Sequence, residues 1–541
     1  MHSDTLTQVA LIAQLRWRLF RNSLRTARAR LELAGQLVLS VLGAVVGVGI
    51  GVGLYGLSFF LAKDNRLAPL EGILWGVFLA WLILPLIVAA STSTVDFREL
   101  LRYPLRFSSF LLLSLAYTLF DPVAITVLFW MACIFAGVAS ARPDTALWIA
   151  PAFLALAVVT LFLSRTLITA IERMLCRPRG RELFFTIFIL TMLSVQVIGI
   201  AAGDYLDLAW EYLEANPSLL LVFPPSLAHS AIETSLAGNG TGALSAAAVI
   251  ALYGVPLFLA HRRRVLAQYR GEDSSAESGV AAQQTAPVKA GWRLPLLPGA
   301  ITALIEKELR YAARNGFVLI NLFIPLFIPA LFGAVAAAGE KVPEILTRDP
   351  ATTYFACILY TLLISMHLVS NQFAFEGHGI QFLFVAPVRF RDVVAAKNLA
   401  YAAAVILDAV LIWFVMLTFG QMPSLPGTVA ALAALPFLLL AQITLGNLLS
   451  LYFPRRFDFG RFKQRQSGMS VLLALLQQIV TGAIAGGIYA VAHWLNLLWI
   501  AALLYLVLGA AMWQVYRMAL THYDSLAARR RETLTAELCH D

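Results

Sequence analysis

Apolar runs bounded by charged or turn-forming residues recur along the chain near 34–62, 69–91, 108–138, 146–172, 182–203 and 243–260, and again near 316–338, 352–374, 391–419, 427–452, 468–490 and 496–519. A bilayer core takes about 20 apolar residues per helix, so each run is long enough to cross one. The pattern predicts an all-α polytopic membrane protein of about twelve transmembrane helices in two groups of six. Between the groups, Gly271 to Lys289 is rich in Glu, Asp, Ser, Gln and Ala, the composition of a linker. The expected organisation is a first six-helix half over 1–265, a linker over 266–297, and a second half with a short basic tail over 298–541. Composition points the same way: 60% of the 541 residues are hydrophobic and 13% are charged, against roughly 45–50% and about 25% in soluble domains. Disordered chains and disulfide scaffolds are excluded. Cys133, Cys176, Cys357 and Cys539 stand apart with no CxxC, so free thiols and no metal are expected.

The formal charge of +9 would suggest a nucleic-acid partner in a soluble protein, but its distribution follows the spans. With both termini cytoplasmic, only Lys63, Arg66, Arg142, Lys341 and Arg348 of the 40 Lys and Arg fall in external loops. That is the positive-inside pattern, and no soluble segment is long enough to carry a nucleic-acid footprint. The N-terminus lacks the short apolar core and small-residue cleavage site of a secretory signal, so the first span is read as a retained helix. The expected location is the plasma membrane, or bacterial inner membrane, with N- and C-termini cytoplasmic.

The two halves resemble one another. At an offset of 293 residues, Ala10, Leu11, Ile12, Arg21 and Asn22 coincide with Ala303, Leu304, Ile305, Arg314 and Asn315. Pro104-Leu105-Arg106-Phe107 and Pro387-Val388-Arg389-Phe390 stand between the second and third spans of their halves. Matches at equivalent topological positions indicate a duplicated six-helix unit, its copies related by an axis along the membrane normal. Ahead of the second half, Leu297 to Arg314 places Ile301, Leu304, Ile305, Leu309 and Ala312 at helical spacing, with Glu306, Lys307, Glu308 and Arg310 on the opposite face. This reads as an amphipathic interfacial helix, either a surface anchor or a docking surface for a cytoplasmic partner.

The amphipathic helix, two spans, the stretch Asn371-Gln372-Phe373-Ala374-Phe375-Glu376-Gly377-His378-Gly379 leading into Leu383 to Phe390, and Lys397-Asn398 early in the next span together resemble the ABC type-2 membrane permease family. The likeness extends over most of the chain in topology and over about 30 residues of the second half in motif. In the first half Asp96 to Pro104 lacks the Glu-Gly pair. Members export lipids, polysaccharides, drugs or peptides, and carry no ATPase of their own. The resemblance implies soluble ABC ATPase subunits, two copies, as partners, with ATP and Mg on the partner and no cofactor on this chain. It also implies coupling through Glu306, Lys307, Glu308 and Arg310, through Arg98, Glu99, Arg102 and Arg106, and through Glu376, Gly377, His378, Gly379 and Arg389. No GxxxxGK[ST] occurs in the chain, in keeping with an ATPase on a separate subunit. The Gly377 and Gly379 pair allows a tight turn or serves as a helix cap.

Gly203 to Gly242 carries Asp204, Asp207, Glu211, Glu214 and Glu233 with no Lys or Arg, and its Leu219 to Phe223 is too short to cross. The stretch reads as an external lid with a re-entrant or interfacial piece, or as an acidic loop obeying charge asymmetry. Within the spans, Asp121 and Asp408 occupy equivalent helices of the two halves, as do Gln196 and the pair Gln477-Gln478. These are candidates for the substrate pathway, with hydrogen bonding between helices as their alternative role. Arg165 is read as snorkelling to the interface. So little charge in the spans favours a lipid-like, hydrophobic or amphipathic substrate. Two other classes stay open: a twelve-helix proton-coupled carrier using Asp121 and Asp408, and a membrane-embedded lipid-modifying enzyme. The latter is weakened by the absence of HExxH and by dispersed histidines, His229 and Glu233 forming only an i, i+4 pair.

Overall fold

The computed structural model describes residues 5–23, 25–88, 105–119, 121–176, 217–270, 291–292, 298–314, 349–455 and 467–539, with scattered positions between 180 and 194 and between 318 and 329. The described residues are helical, without strands. They form two compact units. The first contains α1 (Thr5–Ser23), α2 (Ala27–Lys63), α3 (Ala68–Val88), α4 (Phe107–Leu119), α5 (Pro122–Ala141), α6 (Ala146–Cys176), α7 (Pro224–Leu236) and α8 (Gly240–Tyr269). The second contains α9 (Gly299–Arg314), α10 (Pro350–Ser370), α11 (Ile380–Val385), α12 (Phe390–Thr418), α13 (Leu425–Tyr452), α14 (Gly468–Trp494) and α15 (Leu498–Cys539).

Among the described residues nine helices are long and apolar enough to cross a membrane: α2, α5, α6, α8, α10, α12, α13, α14 and α15. The chain is an all-α polytopic membrane protein. The apolar part of α3, Ala68–Leu84, is shorter than the rest. The expected spans at 182–203 and 316–338, and the linker at 271–289, fall almost entirely outside the described residues. Several helix starts follow from local chemistry. Asp349 accepts from Ala351 and Thr352 N–H at 3.1 and 3.0 Å, with Pro350 in the first turn. Ser424 and Ser467 cap α13 and α14 through Gly427 N–H and Ser470 N–H. In each case a short polar side chain satisfies a backbone donor that the first helical turn leaves free.

Two expected spans are corrected. The run at 108–138 is not one helix: α4 ends at Leu119 and α5 begins at Pro122. Pro122 has no N–H and excludes its predecessor from helical geometry, so Asp121 becomes the cap of a new helix, accepting from Val123 N–H at 3.1 Å. The last span does not stop near 519. α15 runs on to Cys539, 42 residues in all, about 60 Å of helix at 1.5 Å per residue and twice a bilayer core.

In the first unit α2 and α5 pack at backbone distance. A Cβ on Gly137 would stand 2.5 Å from the Tyr55 carbonyl oxygen, so only glycine fits, and Trp130 Nε1 donates to the Gly47 carbonyl at 2.7 Å. The core of this unit is built from Leu74, Trp81, Val127, Ile134, Ile149, Leu156 and Ile250. In the second unit α13 is surrounded by α10, α14 and α15, with Tyr354, Phe355, Leu438 and Tyr505 between them. A separate apolar cluster lies beyond the spans. There Phe373, Ile380, Phe390 and Val394 meet Tyr523, Ala527, Leu534 and Leu538 of the α15 extension. The extension therefore carries its own seam at helical spacing and is a structural prop, where sequence reading saw only a basic tail.

Candidate functional site

The prop, α9 and the start of α12 enclose the segment 371–389, which follows α10. α10 ends at Ser370, and Asn371 exchanges two hydrogen bonds with the Arg455 backbone, at 3.0 and 3.1 Å. Gln372 Nε2 donates to Asn447 Oδ1, and Phe373 N–H donates to Ser450 Oγ at 3.1 Å. These bonds tie the segment to the end of α13. Gly377, at φ +50°, then takes the left-handed geometry that favours glycine and turns the chain into α11. Gly379 has ordinary helical angles. The tight-turn reading therefore applies to Gly377.

Four charges converge beneath this turn. Lys397 Nζ, from α12, lies 2.8 Å from Glu308 Oε1 of α9 and 2.6 Å from Glu376 Oε1. Lys307 Nζ lies 2.5 Å from the same Glu376 oxygen and 3.2 Å from Glu308. The Lys397 side chain is 4% exposed and that of Glu376 8%. Burial alone would raise the Glu376 carboxyl pKa, but the ammonium groups of Lys397 and Lys307 outweigh it and hold the group well below the usual carboxylate range. The cluster joins α9, the 371–389 segment and α12 in one place. Tyr311 of α9 adds an edge contact to Phe375.

This geometry revises the face assignment of the amphipathic helix. Glu306, expected on the outer polar face, is 6% exposed. It pairs with Arg310 and accepts Trp292 N–H at 2.7 Å. Glu308 likewise turns inward, because α12 supplies a cation on that side. Of the expected coupling residues, Lys307, Glu308 and Glu376 come together, Glu306 and Arg310 form a neighbouring pair on the same helix, and His378 and Arg389 are exposed. Arg106 stands at the entry of α4, its N–H donating to Gln8 Oε1 of α1 at 3.3 Å. Ser109 Oγ donates to the same oxygen at 2.8 Å. Each unit thus bonds its leading helix to the region preceding its third expected span. Arg98, Glu99 and Arg102 lie outside the described residues.

Around the turn the surface is apolar where water would be expected. Phe382 and Val385 on α11 are 78% and 77% exposed. Their helix is held from behind by Ile380, which is fully buried, and by Phe384, stacked on Phe390 and covered by Arg531. Arg530 similarly lies over the Tyr452 ring at 4.3 Å. The result is a fixed platform with two apolar side chains pointing away, flanked by His378 and Arg389.

The pathway candidates separate. Asp121 Oδ2 pairs with Arg165 Nη2 at 3.2 Å in the wall of a cleft lined also by Trp81, Thr118, Ala124, Leu161, Ser164 and Ile168. Arg165 therefore ties α6 to the α4–α5 break instead of snorkelling. Asp408 is 2% exposed, and its Oδ1 accepts no hydrogen bond among the described residues. Gln477 Nε2 donates to Thr481 Oγ1 at 3.2 Å, one turn along α14, and Gln478 is buried. Gln196 lies outside the described residues. From the sequence Lys397 stands in the family-like stretch with no partner assigned to it. The signal was there, since a lysine within an apolar span needs a partner. Gln442, which donates to the Leu362 carbonyl at 2.9 Å, and Asn447 were missed, being single amides in apolar helices.

Compared with protein-family models, with curated proteins and with solved structures, the chain matches none.

Proposed function

We propose that the chain is the membrane-spanning subunit of an ATP-driven exporter, with ATP hydrolysed on separate soluble subunits. The observation that carries this reading is the platform at 371–389: an exposed apolar pair, Phe382 and Val385, on a short helix clamped from behind by a buried Lys–Glu cluster and a helical prop. Exposed apolar side chains on a rigid support are what a protein partner would press on. A buried ion cluster is costly unless every charge is paired, so the elements it joins would move as one body. Force applied at Phe382 would pass through Glu376 and Lys397 to α12, and through Glu308 to α9. The positive-inside distribution supports a cytoplasmic position for this platform, on the side where ATP is available. The scarcity of charge in the spans favours a lipid-like, hydrophobic or amphipathic cargo, exported from a plasma or bacterial inner membrane.

The test is purification of the full chain from its native host in mild detergent, with identification of co-purifying chains and assay of ATP hydrolysis. A stoichiometric nucleotide-binding subunit whose ATPase activity responds to this chain supports the proposal. A chain that purifies alone after crosslinking, without ATPase activity, overturns it.

A second reading, a proton-coupled carrier, draws on the burial of Asp408, whose Oδ1 accepts no hydrogen bond among the described residues. Its test is transport driven by a proton gradient in vesicles without ATP. Loss of that transport in Asp408→Asn supports it, and transport unaffected by the gradient removes it.

A further inference from the structure

The helices that lead the two units stand at equivalent places in the sequence and differ in charge. At the offset of 293 that relates them, Glu306, Lys307, Glu308 and Arg310 of α9 correspond to Ala13, Gln14, Leu15 and Trp17 of α1. Aligned through Pro104 and Pro387, Lys397 of α12 corresponds to Ser114 of α4. The residues that lock α9 to α12 are therefore absent from the first unit. In their place is positive charge without a local counterweight: Arg16, Arg18, Arg21, Arg25, Arg28 and Arg30, with no Asp or Glu between Thr5 and Leu31.

α1 meets α4 at Gln8, whose Oε1 accepts the Arg106 N–H and the Ser109 hydroxyl. Away from that contact Gln14, Arg18 and Arg21 follow one another at helical spacing and are exposed, with Leu11 56% and Trp17 65% exposed beside them. Arg25, between α1 and α2, and Arg30, in the first turn of α2, are exposed as well. Only residues 24–26 separate α1 from α2, about 10 Å of chain when fully extended. α2 is itself one of the helices long and apolar enough to span, so it keeps α1 close to the bilayer.

An indole ring and a leucine are at home at headgroup level, where their apolar bodies leave water and the indole N–H stays hydrated. Guanidinium groups match phosphate oxygens two at a time, and the flexible arginine stem lets them reach the headgroups from a helix lying alongside. A run of arginines directly before a span, without intervening acid, is complementary to a negatively charged lipid surface. We infer that the exposed face of α1 binds the anionic phospholipid headgroups of the leaflet beside it, with their phosphate groups as ligands of Arg18, Arg21 and Arg25 and with Leu11 and Trp17 seated among them. The bonds of Gln8 carry that anchorage to α4, the counterpart of the α12 end that the ion cluster holds in the second unit.

The experiment is hydrogen exchange on the full chain in nanodiscs of phosphatidylcholine alone and of phosphatidylcholine mixed with phosphatidylglycerol, with α13 as the internal reference. Protection of the 5–23 amides should be about tenfold greater in the anionic discs. The gain should vanish in about 1 M salt, where the screening length falls to about 3 Å. Arg18→Gln, Arg21→Gln and Arg25→Gln together should abolish it, and the matching triple change to Lys should keep most of it. Arg262→Gln with Arg263→Gln, at exposed arginines of α8, should leave it intact. Equal protection in both lipids, or an undiminished gain in the triple Gln variant, overturns the inference. So does inorganic phosphate that restores the protection in neutral discs, since the ligand would then be a soluble anion. No ATPase subunit is present and both leaflets carry the same lipid, so neither the exporter reading nor the sidedness of the chain decides the outcome.

Discussion

Lys397 Nζ and Glu308 Oε1 lie 2.8 Å apart, although the lysine belongs to a membrane-spanning helix and the glutamate to the amphipathic helix that leads into the second unit. Neither charge would be tolerated at such low exposure alone. Removing one partner from a buried pair typically costs about 3–5 kcal/mol, because the other is left uncompensated. Lys397→Met should therefore destabilise the second unit by an amount of that order. Glu308→Gln should cost less, since Glu376 remains on the lysine. Thermal unfolding of the purified chain, followed by loss of the monodisperse peak, measures both.

The cluster should withstand mild acid. Glu376 is held well below the ordinary carboxylate range, so its stabilising contribution is complete above that range and is lost only as pH falls through the lowered value. The stability difference between the unsubstituted chain and Glu376→Gln should be flat from pH about 8 to about 5 and shrink below about 4. Melting curves at a series of pH values check this. A difference that already disappears near pH 6 would mean the carboxylate is not held by its two lysines.

The break at Asp121 is predicted to depend on Arg165. Asp121→Ala removes a helix cap, worth about 1 kcal/mol, and also leaves the arginine unpaired. Asp121→Asn keeps the cap and loses the pair. Arg165→Met combined with Asp121→Asn should be less destabilising than the sum of the single changes, and a double-mutant cycle on thermal stability reads the coupling.

Close packing of α2 on α5 should make Gly137 intolerant of any side chain. Gly137→Ala meets the Tyr55 carbonyl oxygen, a backbone atom that cannot swing away. The expected cost is about 1–3 kcal/mol, seen as a lower melting temperature. Gly72→Ala, at a glycine with open space around it, is the matched control.

Much of the fold was legible in the sequence because lipid solvation leaves a strong mark: long apolar runs with basic residues at their ends become helices such as α6, α8 and α12. The exceptions have local causes. A single Asp-Pro pair split an apolar run into α4 and α5, since proline geometry acts on one residue and leaves hydropathy unchanged. The extension of α15 was hidden because its buried seam, Tyr523, Ala527, Leu534 and Leu538 with Leu520 and Leu526 packed alongside, is sparse among many charged neighbours. At the candidate site, periodicity put Glu306 and Glu308 on an outer face. It describes one helix in isolation and is blind to a lysine on another. The same blindness applied to Asp121, whose partner Arg165 is 44 residues away.

If the platform at α11 receives the proposed ATPase subunit, a photocrosslinker placed on it captures that subunit. Replacing Phe382 with p-benzoylphenylalanine in the native host, and illuminating intact membranes, should give one adduct whose second chain carries a nucleotide-binding P-loop. The same replacement at Phe384, which faces the protein's own Phe390, should give none. An account in which the platform is an ordinary surface predicts lipid adducts or no adduct at position 382, and that result would contradict the proposed coupling.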